Sequence, residues 1–329
     1  MIQIFAPRKG YSFAPWWDWG FAKEPDKPKE IVNQFEDWCA NMFFGGEAFP
    51  NLWVNLGPGI MAAYVGADAK FRPDSETVWF ETPKDWPELE ELKINPDNRW
   101  WRTTREITEF ASARSDGKFM AGMTDLGGIN DVAASLRGSQ TLITDLFRHP
   151  EKVRDLCSQI LDIWHICYEE LYRILKGESR GNSAWMGLWA SRKWYPIQCD
   201  FSAMLSPKLF EEFALPFIKE QCLRLDNTIY HLDGPGEIPH LNMLLDIPEL
   251  SGIQWVPGAG NEPVESPNWF PLYKKVQESG KLLVVQGVSK ENVEPLLRKL
   301  KLKGLLVSTY CSTEEEARDL LSRVRSRPK

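Results

Sequence analysis

The last third of the chain alternates short apolar runs with amphipathic stretches, and this alternation restricts the fold more than any other feature. The runs read "NTIYHLDG", "SGIQWVPG", "KLLVVQGV" and "KGLLVSTYC", and a stretch with helical spacing follows each of them. Apolar strands that alternate with amphipathic helices are typical of a parallel sheet covered on both faces. The runs begin about every 22–29 residues, and no Gly-rich phosphate loop follows them. The pattern therefore favours a closed (β/α)8 barrel over an open doubly wound sheet.

The rest of the sequence fits the same plan less regularly. The segments "MIQIFAP", "GKFMAGMTDLGG" and "SAWMGLWAS" predict further strands. Residues 8–100 lack a clear period, and they predict irregular insertions that include a hairpin at "ETVWFETP". No low-complexity tract or linker divides the chain. We therefore expect a single (β/α)8 domain over residues 1–329.

Helix boundaries have their own signals. A long helical stretch should break at Pro150, and Ser206 followed by Pro207 should start a helix further on. Near the C-terminus, Ser312 with Glu315 three residues later predicts a capping box.

Composition and charge argue against two classes of partner. The net charge of −7 and the pI near 5.4 disfavour a nucleic acid, because phosphate backbones select basic surfaces. No apolar run approaches the ~20 residues that span a bilayer. The start "MIQIFAPRKGYSF" lacks the pattern of a signal peptide, and the scattered cysteines are expected to be reduced. These features predict a cytoplasmic protein.

Polar side chains gather where the predicted strands end. In a parallel barrel the carboxyl ends of the strands meet at one rim, and that rim carries the chemistry. The residues at these ends are Asp125, His231, Asp233, Trp255, Gln286, Tyr310 and Cys311. Because His231 and Asp233 are one residue apart, they point to the same face of their strand.

A metal site is one interpretation of this rim. Zn²⁺ accepts imidazole nitrogen, carboxylate oxygen and thiolate sulfur, and three protein ligands leave one position open for a substrate. The sequence thus predicts zinc ligation by His231, Asp233 and Cys311, with Asp125 as a base or substrate anchor. The plain alternative is that His231 only hydrogen-bonds Asp233, that Cys311 is a buried strand residue, and that Asp125 lies in an ordinary turn.

The sequence context of four further residues favours local structural roles. Asp200 precedes a helix and is expected to cap it. Glu237 could accept a hydrogen bond from a ligand or lie as a favourable acid in a first helical turn. His149 and His165 lie on helical segments and are expected to be structural.

Several segments in a fixed order resemble a known family. They are "MTDLGGINDVAASLRGSQTLITDLFRHPEKV", "SPKLFEEFALPFIKE", "YHLDGPG", "LLDIPELSGIQWVPGAG" and "VQGVSKENVEPLL". With these segments the sequence resembles the uroporphyrinogen decarboxylase superfamily over most of the chain from about residue 50 onward. The resemblance implies a (β/α)8 barrel. It also implies one of two activities: decarboxylation of a porphyrinogen, or methyl transfer to or from a corrinoid carried by a partner protein.

Departures from the decarboxylase pattern favour the methyltransferase branch. Only Arg8 and Lys9 follow the first strand, where the decarboxylases have an arginine-rich motif, and "STYCSTEE" lies where they have a catalytic histidine. The corrinoid-dependent methyltransferases bind zinc through His-x-Cys and a distant Cys at the last strand. His231 matches the first of these ligands and Cys311 the last, while Asp233 replaces the middle one.

The resemblance therefore implies a zinc-assisted methyltransferase that acts with a corrinoid-binding protein and a small methyl donor or acceptor. His231, Asp233 and Asp125 would be the catalytic residues. The residues that would line the pocket for the corrin ring are Trp189, Trp255, Gln286 and Tyr310.

Three other functions stay open. A cofactor-free decarboxylase of a porphyrinogen-like acid would use Asp125 as its polar anchor. The abundance of tryptophan, with fifteen in the chain, also fits a glycoside hydrolase, which needs two carboxylates ~5–9 Å apart, such as Asp125 with Asp233 or Glu237. A tetrapyrrole-binding barrel without chemistry is the non-enzymatic alternative.

Overall fold

The chain forms an α/β fold with a parallel sheet and many helices. The computed structural model describes residues 1–12, 16, 19–72, 77–81 and 83–326, apart from the side chain of Glu81. The strands in the described residues are β1 (Ile2–Pro7), β2 (Met42–Gly46), β3 (Asn51–Trp53), β4 (Asp68–Arg72), β5 (Thr77–Glu81), β6 (Met120–Gly122), β7 (Asn182–Ser183), β8 (Trp189–Ala190), β9 (Trp194–Gln198), β10 (Asn227–Asp233), β11 (Gly252–Val256), β12 (Leu282–Val285) and β13 (Leu305–Tyr310).

Helices connect most of these strands. The α-helices in the described residues are α1 (Gly20–Lys23), α2 (Pro28–Ala40), α3 (Met61–Tyr64), α4 (Trp86–Leu89), α5 (Arg99–Arg114), α6 (Ile129–Arg137), α7 (Ser139–Arg148), α8 (Pro150–Ile174), α9 (Gly177–Arg180), α10 (Pro207–Phe213), α11 (Leu215–Arg224), α12 (Leu241–Leu245), α13 (Phe270–Glu278), α14 (Lys290–Lys299) and α15 (Glu314–Arg325). Short 3₁₀ helices cover Asp200–Met204, Pro235–His240 and Pro267–Trp269. Within the described residues, none of the helices is both long enough and apolar enough to cross a membrane.

The main sheet has the strand order β2-β1-β13-β12-β11-β10-β9. Adjacent strands from β9 to β1 in this order are parallel, and β2 runs antiparallel to β1. A separate parallel pair joins β3 to β6, and a single parallel bridge links Met123 to Ala184. The parallel βα organisation predicted for the last third of the chain is confirmed.

The register of the main sheet places polar side chains next to one another. His231 on β10 lies opposite Gln198 on β9 and Gln254 on β11. Successive strand residues point to opposite faces, so the buried neighbours Tyr230 and Leu232 face the other side of the sheet. One face of the sheet therefore packs against helices, and the other carries a polar row near the carboxyl ends of the strands.

Predicted helix boundaries are partly confirmed. Helix α8 begins at Pro150, which needs no N–H there, and the hydroxyl of Ser206 accepts a hydrogen bond from the Leu209 N–H at the start of α10. The predicted capping box of α15 is wrong by one residue. Its cap is Thr313, whose hydroxyl accepts from the Glu316 N–H at 3.2 Å.

The predicted strand "SAWMGLWAS" is the other correction. Two-residue strands β7 and β8 pair antiparallel, and the chain between them turns back on itself. Gly187 has φ +68° in this segment, a backbone conformation that favours glycine. We name residues 184–188 the inner loop, because Ala184 and Met186 are buried within it.

The segment "ETVWFETP" does not form a hairpin by itself: it supplies one strand, β5, which pairs antiparallel with β4 earlier in the chain. Glu76 and Thr82, which belong to the predicted segment, lie outside the described residues. Val78 on β5 is buried, whereas the side chain of Trp79 is 55% exposed. The hairpin therefore packs down on one face and presents an aromatic ring on the other.

We expect His165 on α8 to make the protein less stable in acid. Its side chain is buried, and Nε2 has no hydrogen-bond partner in the described structure. Burial, with a smaller effect of Arg224, lowers the pKa of His165 from 6.5 to about 4. Between these values the unfolded chain binds one more proton than the folded chain. The contribution of His165 to stability is thus full above about pH 6.5 and is lost as the pH falls towards about 4.

Urea unfolding at several pH values measures this effect. In the His165→Phe variant the unfolding free energy should depend less steeply on pH. The decrease in slope should correspond to the uptake of up to about one proton per molecule on unfolding. The matched His149→Phe variant, at an exposed position, should keep the wild-type slope. An unchanged slope in the His165 variant would contradict the prediction.

Candidate metal centre

Three side chains converge at the carboxyl ends of β9 and β10. His231 and Asp233 lie on β10, and Asp200 begins the 3₁₀ helix just after β9. One potential ligand atom from each of them lies within 4.8 Å of the others. Among the residues that the structure describes, this is the group of histidine, cysteine and acidic side chains that could hold a metal ion. We call it the acid–histidine cluster.

Asp200 is free to join the cluster because another residue caps its helix. The carboxylate of Asp131 accepts hydrogen bonds from the backbone N–H groups of Asp200 (3.1 Å) and Phe201 (2.7 Å). The interpretation of Asp200 as a helix cap is therefore wrong. The acid that caps this helix comes from α6, and a distant partner of this kind leaves no signal near Asp200 in the sequence.

His231 is held by a directed hydrogen bond. Its Nδ1 lies 2.6 Å from the side-chain oxygen of Gln254, and its ring packs edge-on against Trp185 with centroids 5.1 Å apart. Burial lowers the pKa of His231, although the bond to Gln254 works in the opposite direction. The imidazole is therefore favoured in its neutral form, which is the form that binds metals.

Acidic side chains crowd around the cluster. The side chain of Asp200 is exposed by surface area and lines a cavity. Nearby protein atoms still remove its carboxylate partly from water, which raises its pKa to about 7, and Asp233 and Asp125 add to the effect. Burial also raises the pKa of Glu237 to about 10, and Asp200 and Asp131 add to it. A bound cation would favour the charged forms of these acids and so lower their pKa values again.

The donor set fits a zinc ion. An imidazole nitrogen with two carboxylate oxygens belongs to the ligand types that zinc accepts, and three protein ligands leave a position open. Glu237 is fully buried close to these acids, and its Oε1 has no hydrogen-bond partner in the described structure. A buried carboxyl oxygen without a partner is a position at which a nearby cation would supply the missing contact.

Cys311 does not join the cluster, so the predicted ligand set of His231, Asp233 and Cys311 is corrected. Its backbone N–H donates to the carbonyl of Phe5, and the ring of Tyr310, the preceding residue, stacks on Phe5 at 5.2 Å. Cys311 directly follows β13, and continued alternation of the side chains turns its thiol to the side opposite Tyr310. Burial raises the pKa of the Cys311 thiol, and the charged groups that affect it most, Glu316 and Lys290, lie on the helices α15 and α14. The thiol therefore faces the helices.

Asp125 lies in a turn close to the cluster. Its Oδ1 accepts a hydrogen bond from the Gly127 N–H at 2.7 Å, and burial raises its pKa to about 7. Gly127 has φ +78°, and a Cβ there would lie 2.6 Å from the Cα of Gly59. The turn thus needs glycine, and the plain interpretation of Asp125 as a turn residue describes its observed contact.

Two of the four residues predicted to line a corrin pocket, Trp255 and Trp189, lie away from the acid–histidine cluster. Trp255 is buried against Trp269 on the helix side of the sheet. Trp189 lies at the opposite, amino-terminal end of the strands, in the wall of a cavity of about 730 Å³, and its indole N–H donates to the Arg180 carbonyl. Tyr310 is 48% exposed. Gln286 is linked to His231 through Gln254.

A cavity of about 530 Å³ lies beside the cluster. Its wall includes Trp79, Phe80, Met204, Asp131, Asp200 and Gln198. An apolar wall with a few convergent polar groups is typical of a small-molecule site. The cavity gives a substrate access to Asp200.

Sequence reasoning missed Gln198 and Gln254. Each apolar strand from β9 to β12 carries or precedes one polar residue near its carboxyl end: Gln198, His231, Gln254 and Gln286. A polar side chain at the same place in successive buried strands is a signal that could have found all four together.

Comparison with known proteins shows a likeness in fold. No family model matches this sequence, and no curated protein matches it. Among solved structures, the chain is similar to a protein of the methyltransferase class. That protein is a methyltransferase from Methanosarcina mazei, with a TM-score of 0.61 and 14% identity over 93% of this chain and 87% of that one. At this identity the likeness shows a shared fold.

Proposed function

We propose that this chain is a zinc-assisted methyltransferase that transfers a methyl group between a small donor or acceptor and a corrinoid carried by a partner protein. The observation that carries the proposal is the convergence of Asp200, His231 and Asp233, whose ligand atoms lie within 4.8 Å of one another beside an accessible cavity. The sequence resemblance and the fold of the Methanosarcina mazei methyltransferase support the class of reaction. Under this proposal the strands close into a (β/α)8 barrel of the uroporphyrinogen decarboxylase type.

Each residue of the cluster has a chemical role under the proposal. His231 would offer its Nε2, because Nδ1 already contacts Gln254, and Asp200 and Asp233 would offer carboxylate oxygens. Two carboxylates carry the same formal charge as the two thiolates that the resemblance implies. Zinc held there would supply a Lewis acid that lowers the pKa of a thiol or similar acceptor.

The cavity would hold the reacting methyl group next to the cluster. Trp79, Phe80 and Met204 provide apolar and aromatic surface, which excludes water and favours a methyl-bearing partner over a polar one. Trp79 is largely exposed and lies on the hairpin at the cavity wall. We propose this side of the molecule as the approach for the corrinoid protein.

The charge of the cavity disfavours the decarboxylase alternative. Among the described residues that line it, none is lysine or arginine, whereas Asp131 and Asp200 are present. A porphyrinogen carries several carboxylates, and like charges held close together repel. A polyanionic substrate would therefore bind poorly here.

Zinc-dependent methyl transfer tests the proposal. After removal of metal by a chelator, the protein should take up about one zinc ion per chain. It should then transfer methyl from methylcobalamin to a small thiol. The loss of the methyl–cobalt absorbance measures this transfer. The His231→Ala variant should be inactive, whereas the His149→Ala variant should match the wild type. Methyl transfer that is the same with and without zinc would contradict the proposal.

A further inference from the structure

A chain of hydrogen bonds links His231 to the inner loop. The Nδ1 of His231 lies 2.6 Å from Oε1 of Gln254, and Nε2 of Gln254 donates to Oε1 of Gln286 at 2.6 Å. The Nε2 of Gln286 then donates to the backbone carbonyl of Met186 at 3.0 Å. The chain thus runs across three neighbouring strand ends and stops at a main-chain oxygen.

The last group in the chain fixes the direction of every bond. A carbonyl oxygen only accepts, so Gln286 must present its NH₂ to Met186 and its oxygen to Gln254. Gln254 must then present its NH₂ to Gln286 and its oxygen to His231. The opposite orientation would place two carbonyl oxygens against each other at Met186. His231 must therefore donate, which puts its proton on Nδ1.

The inner loop that supplies the carbonyl is itself held in place. The side-chain amide of Gln3 donates to the carbonyl of Gly187, and that of Asn51 donates to the carbonyl of Ala184, both at 3.0 Å. Trp185, on the same loop, packs edge-on against His231. The acceptor at Met186 is therefore fixed between anchored neighbours.

We propose that Gln254 and Gln286 are positioning residues that hold His231 in the Nδ1–H tautomer, with the Met186 carbonyl as the fixed end. Neutral imidazole carries one proton, so this tautomer leaves the lone pair of Nε2 free. Partners of this kind on the distal nitrogen orient metal-binding histidines in other proteins. The tautomer of His231 follows from these hydrogen bonds alone. Only its expected effect on metal affinity rests on the proposed function.

Nitrogen-15 NMR of the metal-free protein tests the tautomer without any activity assay. Long-range ¹H–¹⁵N correlation at neutral to mildly alkaline pH distinguishes Nδ1–H from Nε2–H, and the His231→Ala variant assigns the signal. His240 is an internal reference for the other tautomer. Its Nε2 lies 3.0 Å from the Ser202 carbonyl, which can only accept, so its proton is on Nε2. We expect Nδ1–H for His231 and Nε2–H for His240.

We call the hydrogen-bond chain from His231 through Gln254 and Gln286 to the Met186 carbonyl the relay. Variants separate its effect on the His231 tautomer from the effect of general packing. Gln254→Leu and Gln286→Leu should shift His231 towards Nε2–H and weaken zinc binding by about 10–100-fold. Gln254→Glu should keep the Nδ1–H tautomer, because a carboxylate also accepts from Nδ1. Gln3→Leu is the matched control, since it releases the inner loop at Gly187 but leaves the relay intact, and it should keep the wild-type tautomer.

The outcomes for the relay and for the proposed function are distinct. An Nε2–H tautomer in the wild type, or an unchanged tautomer in Gln254→Leu and Gln286→Leu, would overturn the inference. If the tautomer behaves as expected but the wild type binds no zinc, the relay stands and the proposed metal function fails.

Discussion

Replacing Trp164 with alanine should reduce the free energy of unfolding by about 3–5 kcal/mol, the usual cost of removing a fully buried tryptophan. Trp164 on α8 is 0% exposed, stacks on Tyr168 at 5.5 Å and packs edge-on against Tyr195 at 5.1 Å. Its indole N–H donates to the Gly127 carbonyl at 3.1 Å. The substitution leaves both a cavity and an unpaired carbonyl, so we expect a value at the upper end of the range.

Urea unfolding followed by circular dichroism measures this loss. Phe147→Ala is the matched control, because Phe147 is 70% exposed and its removal should change stability by less than about 0.5 kcal/mol. A Trp164→Phe variant should lose less than the alanine variant, since it keeps most of the ring contacts. A loss below about 1.5 kcal/mol in Trp164→Ala would contradict the packing described here.

The same contacts explain how the helix layer supports the candidate site. The hydroxyl of Tyr195 donates to the Thr124 carbonyl and accepts from the Leu126 N–H, both at 2.8 Å. Together with the bond from Trp164 to Gly127, these contacts fix the turn that holds Asp125. Core packing on α8 and β9 therefore determines the shape of the turn beside the acid–histidine cluster.

The strands and helices of the last third were predictable because their signals are local. A buried parallel strand is a short apolar run, and its helix has an apolar stripe, so β10 to β13 can be read from neighbouring residues alone. The helix starts at Pro150 and Pro207 were predictable for the same reason. Closure into a barrel depends on contacts between distant strands and stays a prediction.

The inner loop was not predictable from composition. The segment "SAWMGLWAS" is as apolar as a strand, but the chain reverses at Gly187 and the carbonyls of Ala184, Met186 and Gly187 accept from amide side chains of distant strands. These partners satisfy the buried backbone that a ladder would otherwise satisfy. A sequence pattern cannot show partners that are 100 to 184 residues away along the chain.

The cluster was predicted in part. His231 and Asp233 were found because their spacing places them on one strand face. The third member was assigned to Cys311 instead of Asp200, because the phase of β13 cannot be fixed when both of its faces are buried. Residues of β13 are buried from Leu305 to Thr309 without alternation, so the pattern does not show which side chains face the cluster.

Metal affinity of two variants distinguishes the predicted ligand set from the observed one. Asp200→Asn keeps the shape of the side chain but removes its charge, and we expect zinc affinity to fall by at least about 100-fold. This loss is larger than the loss that usually follows a substitution of a residue that only supports the metal ligands. Cys311→Ser should leave affinity within about threefold of the wild type, because the thiol faces the helices near Glu316. His231→Ala, which removes the nitrogen ligand, should resemble Asp200→Asn.

Competition between each purified protein and a chromophoric zinc chelator, with circular dichroism to confirm folding, gives the three affinities directly. We expect Asp200→Asn to lose zinc and Cys311→Ser to retain it. Retention by a folded Asp200→Asn variant, or release from Cys311→Ser, would show that the ion is not held by Asp200, His231 and Asp233.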